Sequence, residues 1–254
     1  MTLLAAAAIL LAGLAAGLIN TVVGSGTLIT FPTLIALGIP PVTANVSNTI
    51  GLVPGSVSGA VGYRRELRGQ RTRVLRFSVA SLIGGLAGAL LLLVLPAAAF
   101  AAIVPVLILL GLVLVVFQPR ISAWVARRHD AAGGLPEHGA WWVWPSVLLA
   151  GVYGGYFGAA QGVLLMAILG IGVDEGLQRL NAVKNVLAAV VNGVAGLLFV
   201  VVAHVDWRVV ALIGVGSVVG AQLGATVGRR LPAPVLRVAI VVVGVVALGS
   251  FLLS

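Results

Sequence analysis

The chain has 254 residues, of which 61% are hydrophobic and 8% charged, and its mean hydropathy is +1.20. Soluble domains run at about half apolar and about a quarter charged, so a soluble fold is excluded and an all-α integral membrane protein is expected. The net charge of +9 is not a nucleic-acid signal, because the arginines lie in short loops such as RRELRGQRTRVLR (64 to 76) without interleaved aromatics. With no cysteine, disulfides, thiolate chemistry and cysteine-based metal sites are excluded.

The opening MTLLAAAAILLAGLAAGLIN is apolar from its start and lacks the basic region of a signal peptide; it is expected to be a retained first helix. Glycines, prolines and charge clusters then divide the chain into apolar segments at 3–22, 27–38, 43–62, 77–95, 99–117, 142–160, 162–173, 180–203, 207–227 and 234–252. Eight of these suit a bilayer core of about 30 Å. The two short ones, TLITFPTLIALG (27 to 38) and GVLLMAILGIGV (162 to 173), would reach only about 18 Å as helices. They are expected to be half-helices or re-entrant segments, which a membrane tolerates only where protein or water surrounds them.

A shift of 136 residues lays the second half of the chain over the first: Gly26 falls on Gly162, Leu28 on Leu164, Asn45 on Asn181 and Ser56 on Asn192. The order long, short, long, long, long recurs, which points to an internal duplication. Arginines crowd 64–76, Arg120, Arg127 and Arg128 in the first half. In the second, the loop equivalent to 63–76 is the nearly neutral HVDWR (204 to 208), and the charge sits in GRRLP (228 to 232). A bias that changes loops between halves is expected of inverted repeats, with the arginine loops cytoplasmic and both termini outside. The expected domains are a first repeat at 1–118, a cytoplasmic linker at 119–140 and a second repeat at 141–254; Trp141, Trp142 and Trp144 suit an interfacial belt. Whether the short segments cross or re-enter stays open.

Inverted repeats with short, glycine-interrupted helices point to a transporter whose site lies near the membrane midplane. The bland alternative is a scaffold whose glycines merely allow close packing. Two clusters could bind a solute. At the helix breaks NTVVGSG (20 to 26) and YFGAAQG (156 to 162), Asn20, Gly24, Ser25, Gly26, Gln161 and Gly162 combine backbone freedom, polar side chains and the positive ends of new helices. In TANVSNT (43 to 49) and RLNAVKN (179 to 185), residues three and four apart share a face. Asn45, Asn48 and Thr49 thus converge in one repeat, and Asn181, Lys184 and Asn185 in the other.

Lys184 is the only lysine among fifteen basic residues. A charge within a span costs a few kcal/mol on insertion scales, about 3 kcal/mol at the helix centre, so it needs an anionic partner or water. It either reaches a central cavity, or snorkels to the headgroups or pairs with the nearby acids Asp174 and Glu175. The six acids and three histidines all lie in loops or at segment ends, so no carboxylate pair, metal cluster or nucleophile-base spacing supports an enzyme. No cofactor is expected. The expected partners are a small anionic solute and the lipid bilayer, not nucleic acid; oligomeric state and coupling ion stay open.

At these residues the chain resembles the TauE/SafE family of sulfite and organosulfur-anion exporters. The resemblance lies in GSGTLITFPTLIALGIPPVTANVSNT (24 to 49), YGGYFGAAQGVLLMAILG (153 to 170) and LQRLNAVKNVLAAVVNGVAGLLF (177 to 199). It departs at Ser25, at Ile168 opposite Pro32, and at Ala159 and Ala160. The resemblance implies transport of sulfite or a sulfonate; the residues alone support a small anion moved by alternating access, with a passive channel as the alternative.

Overall fold

The computed structural model describes residues 1–131, 139–226, 238, 240–246 and 249. The GRRLP loop, most of the last expected span, Glu137 and His138 lie outside the described residues. The helices are α1 (Leu3–Val22), α2 (Thr27–Ala36), α3 (Pro41–Gly62), α4 (Arg71–Val94), α5 (Ala97–Ala131), α6 (Val143–Tyr156), α7 (Gln161–Gly172), α8 (Leu177–Val202) and α9 (Trp207–Thr226); the described residues contain no strand.

Five helices, α1, α4, α5, α8 and α9, are long and apolar enough to cross a membrane. Helix α3 has 22 residues, but Thr43, Asn45, Ser47, Asn48 and Thr49 make its first half polar. The segment expected to span over 142–160 is shorter: α6 has 14 residues, about 21 Å of helix. It stops at Phe157 because Gly158 (φ 77°) and Ala160 (φ 60°) take left-handed backbone, which a helix cannot continue through. Conversely, the linker expected from 119 is helical as far as Ala131, α5 running through Pro119.

Local chemistry sets the helix starts. Thr2 Oγ1 accepts from the Ala5 N–H at 3.2 Å, and Pro41 opens α3 at a position where a missing N–H costs nothing. Asp206 Oδ1 accepts from the N–H groups of Arg208 (3.0 Å) and Val209 (3.2 Å), capping α9.

Two close crossings organise the bundle. Helices α1 and α9 run side by side, with Gly216, Gly220 and Gly224 against the carbonyls of Leu10, Leu14 and Leu18. Helices α4 and α6 do the same through Gly84 and Gly88 against the carbonyls of Leu148 and Val152. Small residues at four-residue spacing let backbones meet where lipid offers no hydrophobic drive for association.

Helices α6 and α7 form a hairpin, since the Ala140 N–H ahead of α6 donates to Gly172 O at the end of α7, at 2.7 Å. Helices α1 and α2 do likewise. The start of α1 lies by the start of α9, because Gly13 meets Ile213, and Gly38 and Ile39, after α2, line a cavity with Val205 and Trp207 at that same end. Each short helix therefore runs back toward the end of the bundle at which the helix before it began.

At one end of the bundle, called here the arginine end, the α3–α4 loop meets the α7–α8 loop. Arg73 Nη1 reaches Glu175 Oε2 at 3.0 Å and Arg179 Nε reaches Glu175 Oε1 at 2.8 Å. Gln70 Nε2 donates to Arg179 O at 3.3 Å and Arg179 Nη2 to Arg68 O at 3.1 Å. At the opposite end, called the histidine end, the α8–α9 loop meets the start of α3, with the Asp206 N–H donating to Ser47 Oγ at 2.9 Å. Trp142 and Trp144 are half-buried, Trp142 against Gly172 at the end of α7, and Trp141 is exposed.

Candidate functional site

The two hairpin tips meet in the protein interior. Gly162 N–H, in the first turn of α7, donates to Gly24 O at 3.0 Å. A Cβ on either glycine would fall on the backbone of the other, so the tips can touch only as glycines. Gly24 also has φ of 93°, open to glycine at no steric cost. Beside this junction lies a cavity of about 30 Å³, lined by Asn20, Thr21, Gly24, Thr27, Ser56, Gly158, Gln161, Gly162, Lys184, Asn185, Ala188 and Asn192. That is space on the scale of a water molecule or two.

Lys184 faces this cavity and is fully buried. Its Nζ donates to Asn20 O at 2.9 Å and to Thr21 O at 3.3 Å, carbonyls of the last turn of α1. Unsatisfied carbonyls there carry partial negative charge, which favours a lysine amine. Asn181 Nδ2 (3.2 Å) and Asn185 Nδ2 (3.3 Å) also donate to Thr21 O. Lys184 thus neither snorkels nor pairs with Glu175, whose carboxylate is held by Arg73 and Arg179. Burial pushes the Glu175 carboxyl up, but hydrogen bonds from Arg73, Arg179 and the Gly176 N–H outweigh it and hold the group below the usual carboxylate range.

Of the sequence-derived candidates, Asn20, Gly24, Gln161, Gly162, Lys184 and Asn185 share the cavity. The expectation that helix starts offer free N–H groups needs correction at two positions. Gly26 N–H is taken by Asn20 Oδ1 at 2.6 Å, and Gly162 N–H by Gly24 O. The donors left to the cavity are side chains, among them Gln161 Nε2, buried with no hydrogen-bond partner, and the remaining proton of a charged Lys184 Nζ. Gly154 makes room for the Gln161 amide, which a Cβ there would strike. Ser25 is buried with Oγ unpaired, but does not line the cavity, and neither do Gly26 and Asn181.

The α3 candidates do not line the cavity, though Asn48 contacts Thr27, which does. Asn45 Nδ2 donates to Tyr156 O at 2.9 Å, Asn48 Nδ2 to Thr27 Oγ1 at 3.4 Å, and Thr49 Oγ1 to Asn45 O at 2.9 Å. Next to them Phe31 stands edge-on to Phe157 (centroids 5.1 Å) and to Phe100 (6.5 Å).

Four polar cavity residues escaped the sequence reading as site members: Thr21, Thr27, Ser56 and Asn192. Asn192 Nδ2 donates to Ser56 Oγ at 3.0 Å, and these two are partners under the 136-residue shift. That alignment was the one signal that could have placed them. Among the described residues no group of three or more His, Asp or Glu side chains could hold a metal ion.

A "Probable membrane transporter protein ORF9" of Sinorhizobium sp is 28% identical over 243 residues, covering 91% of this chain and 85% of the relative. The "Probable membrane transporter protein YfcA" of Escherichia coli K12 is 26% identical over 242 residues, covering 93% and 86%. A "Probable membrane transporter protein" of Haemophilus influenzae is 26% identical over 228 residues, covering 88% and 87%. No solved structure matches. The family model described as "Sulfite exporter TauE/SafE" matches residues 9–251, and this multi-pass membrane protein belongs to that family.

Proposed function

We propose that this chain is a secondary transporter that moves a small anion, sulfite or an organosulfonate, across the cytoplasmic membrane by alternating access. The observation that carries the reading is the junction of the two hairpin tips at Gly24 and Gly162 beside a cavity lined by the buried Lys184 and by Gln161, whose Nε2 has no hydrogen-bond partner. A lysine amine and an amide donor, both on buried side chains, replace part of the hydration shell of a compact anion. The relatives' names and the family description support transport and a sulfur-containing solute.

Inverted repeats, 1–118 and 141–254 joined by the segment 119–140, account for the matched packing. Helix α1 lies on α9 as its counterpart α6 lies on α4; the loop 63–70 docks at one end and its counterpart, the α8–α9 loop, at the other. Ser56 meets its own counterpart Asn192, as residues on a two-fold axis must. Rocking of the repeats about that axis would open the cavity to each side in turn. The arginine end is assigned to the cytoplasm and both termini to the outside. The remaining candidates, Ser25, Gly26, Asn45, Asn48, Thr49 and Asn181, act in this reading by holding the hairpin tips.

The test is uptake of radiolabelled sulfite, with sulfate and a small sulfonate in parallel, into proteoliposomes of the native chain and of Lys184→Ala and Gln161→Ala. Saturable uptake, lost in both variants, is the expected result. Unsaturable flux would mean a channel, and no flux of any anion in the native chain would reject the reading.

A further inference from the structure

The two repeats differ at one position in a way that leaves one helix end without its lysine. Under the 136-residue shift Lys184 corresponds to Asn48 and Asn181 to Asn45. In the second half, α8 presents Asn181 and Lys184 to the carbonyls that end α1. In the first half, α3 presents Asn45 to the carbonyl of Tyr156, which ends α6. One turn further on, where the ammonium would be, stands the neutral amide of Asn48.

The end of α6 keeps the partial negative charge of any helix C-terminus. Around it the side-chain oxygens also lack donors. Asn45 and Asn48 are 0% and 1% exposed, and Oδ1 of each has no hydrogen-bond partner. Leaving a buried acceptor unmet costs about 1–3 kcal/mol, and here two lie one turn apart on the same face. Thr27 Oγ1 joins them through its hydrogen bond from Asn48 Nδ2. The oxygens are all neutral: none of the six acids lies in α1, α2, α3, α6 or α7. A divalent ion would call for carboxylates, whereas neutral carbonyl-type oxygens at a broken helix's C-terminal end suit a monovalent one.

We propose that a sodium ion binds between α3 and the C-terminal end of α6, held by Asn45 Oδ1, Asn48 Oδ1 and the helix-end carbonyls, in the place that Lys184 fills at α1. One half of the molecule carries its positive charge covalently and the other takes it from solution. The ion then ties α3 to the α6–α7 hairpin, as Lys184 ties α8 to the α1–α2 hairpin, and couples the hairpin tips to the sodium gradient. The equivalence of the two sites rests on the repeat reading above; ion binding itself does not depend on which solute is moved.

The experiment is equilibrium binding of radiolabelled sodium to the purified full-length chain, at constant ionic strength in choline chloride, for the native protein, Asn48→Lys and Asn48→Leu. Saturable binding is expected in the native chain. Asn48→Leu removes an oxygen ligand and should weaken binding by at least about tenfold. Asn48→Lys supplies the missing charge and should abolish binding while keeping the monodisperse elution of the native protein. Absence of sodium-specific binding in the native chain overturns the proposal. So does native-like affinity in Asn48→Leu, which decides the matter even if Asn48→Lys fails to fold. Because the assay reads the ion alone, sodium binding without sulfite uptake would uphold this inference while rejecting the anion-transport reading, and the converse would do the reverse.

Discussion

Asn192 Nδ2 lies 3.0 Å from Ser56 Oγ, joining α8 to α3 at the rim of the cavity. The two helices cross there, and neither residue is fully buried. Truncating either to Ala should cost about 0.5–1.5 kcal/mol, and a double-mutant cycle by thermal unfolding in detergent should return a coupling energy of at least about 0.5 kcal/mol. Strict additivity would mean that the pair contributes no stability of its own.

The glycine junction makes a sharper demand. Gly162→Ala places a methyl group on the Gly24 backbone, and overpacking of this kind typically costs about 1–3 kcal/mol. The unfolding midpoint should fall and sulfite uptake should vanish, because the tips must separate. Native stability in this variant would show that the tips do not touch.

A paired substitution isolates packing from helix propensity. Gly88 on α4 faces the Val152 carbonyl, whereas Gly193 on α8 has open space around it. Gly88→Ala should destabilise markedly; Gly193→Ala should be neutral or stabilise by up to about 1 kcal/mol. Equal effects on the unfolding midpoint would remove the α4–α6 crossing from the account.

Acid should loosen the arginine end first. The Glu175 carboxyl is held below its usual range in the folded chain, so its contribution is fully present above the unfolded value of about 4.3 and is lost as pH falls through the folded value. The unfolding midpoint should drop on acidification below about pH 4, and Glu175→Gln should flatten that part of the profile. An unchanged acid limb in Glu175→Gln would place the sensitivity elsewhere.

The native chain has no cysteine, so single cysteines report sidedness without background. His204→Cys and Arg68→Cys should react with a membrane-impermeant maleimide from opposite sides, the first from outside intact cells. Labelling of both from one side would reject the assigned orientation.

Much of the fold was legible because bilayer thickness and helix rise fix segment length. Segments 3–22, 180–203 and 207–227 lie within a few residues of α1, α8 and α9. The misjudged segment, 142–160, is apolar throughout, and hydropathy does not register the left-handed backbone at Gly158 and Ala160 that ends α6. The site was half legible. Lys184 stood out as a cation among apolar residues, and the glycines around 24 and 162 as breaks. Their mutual contact was not readable, because no local pattern shows which backbone a glycine faces. Nor was the hydrogen bond that the Gly26 N–H donates to Asn20 Oδ1, which turns an apparently free N–H into an occupied one.

The carbonyl of Thr21 is oversubscribed. An oxygen with two lone pairs receives Lys184, Asn181 and Asn185 at 3.2–3.3 Å, so at any instant one donor is surplus. A donor kept in surplus can turn toward an arriving solute without orphaning the group it leaves. Desolvating the solute then need not be opposed by breaking the protein's own hydrogen bonds, and the wall of the cavity works as a reserve of donors held in readiness.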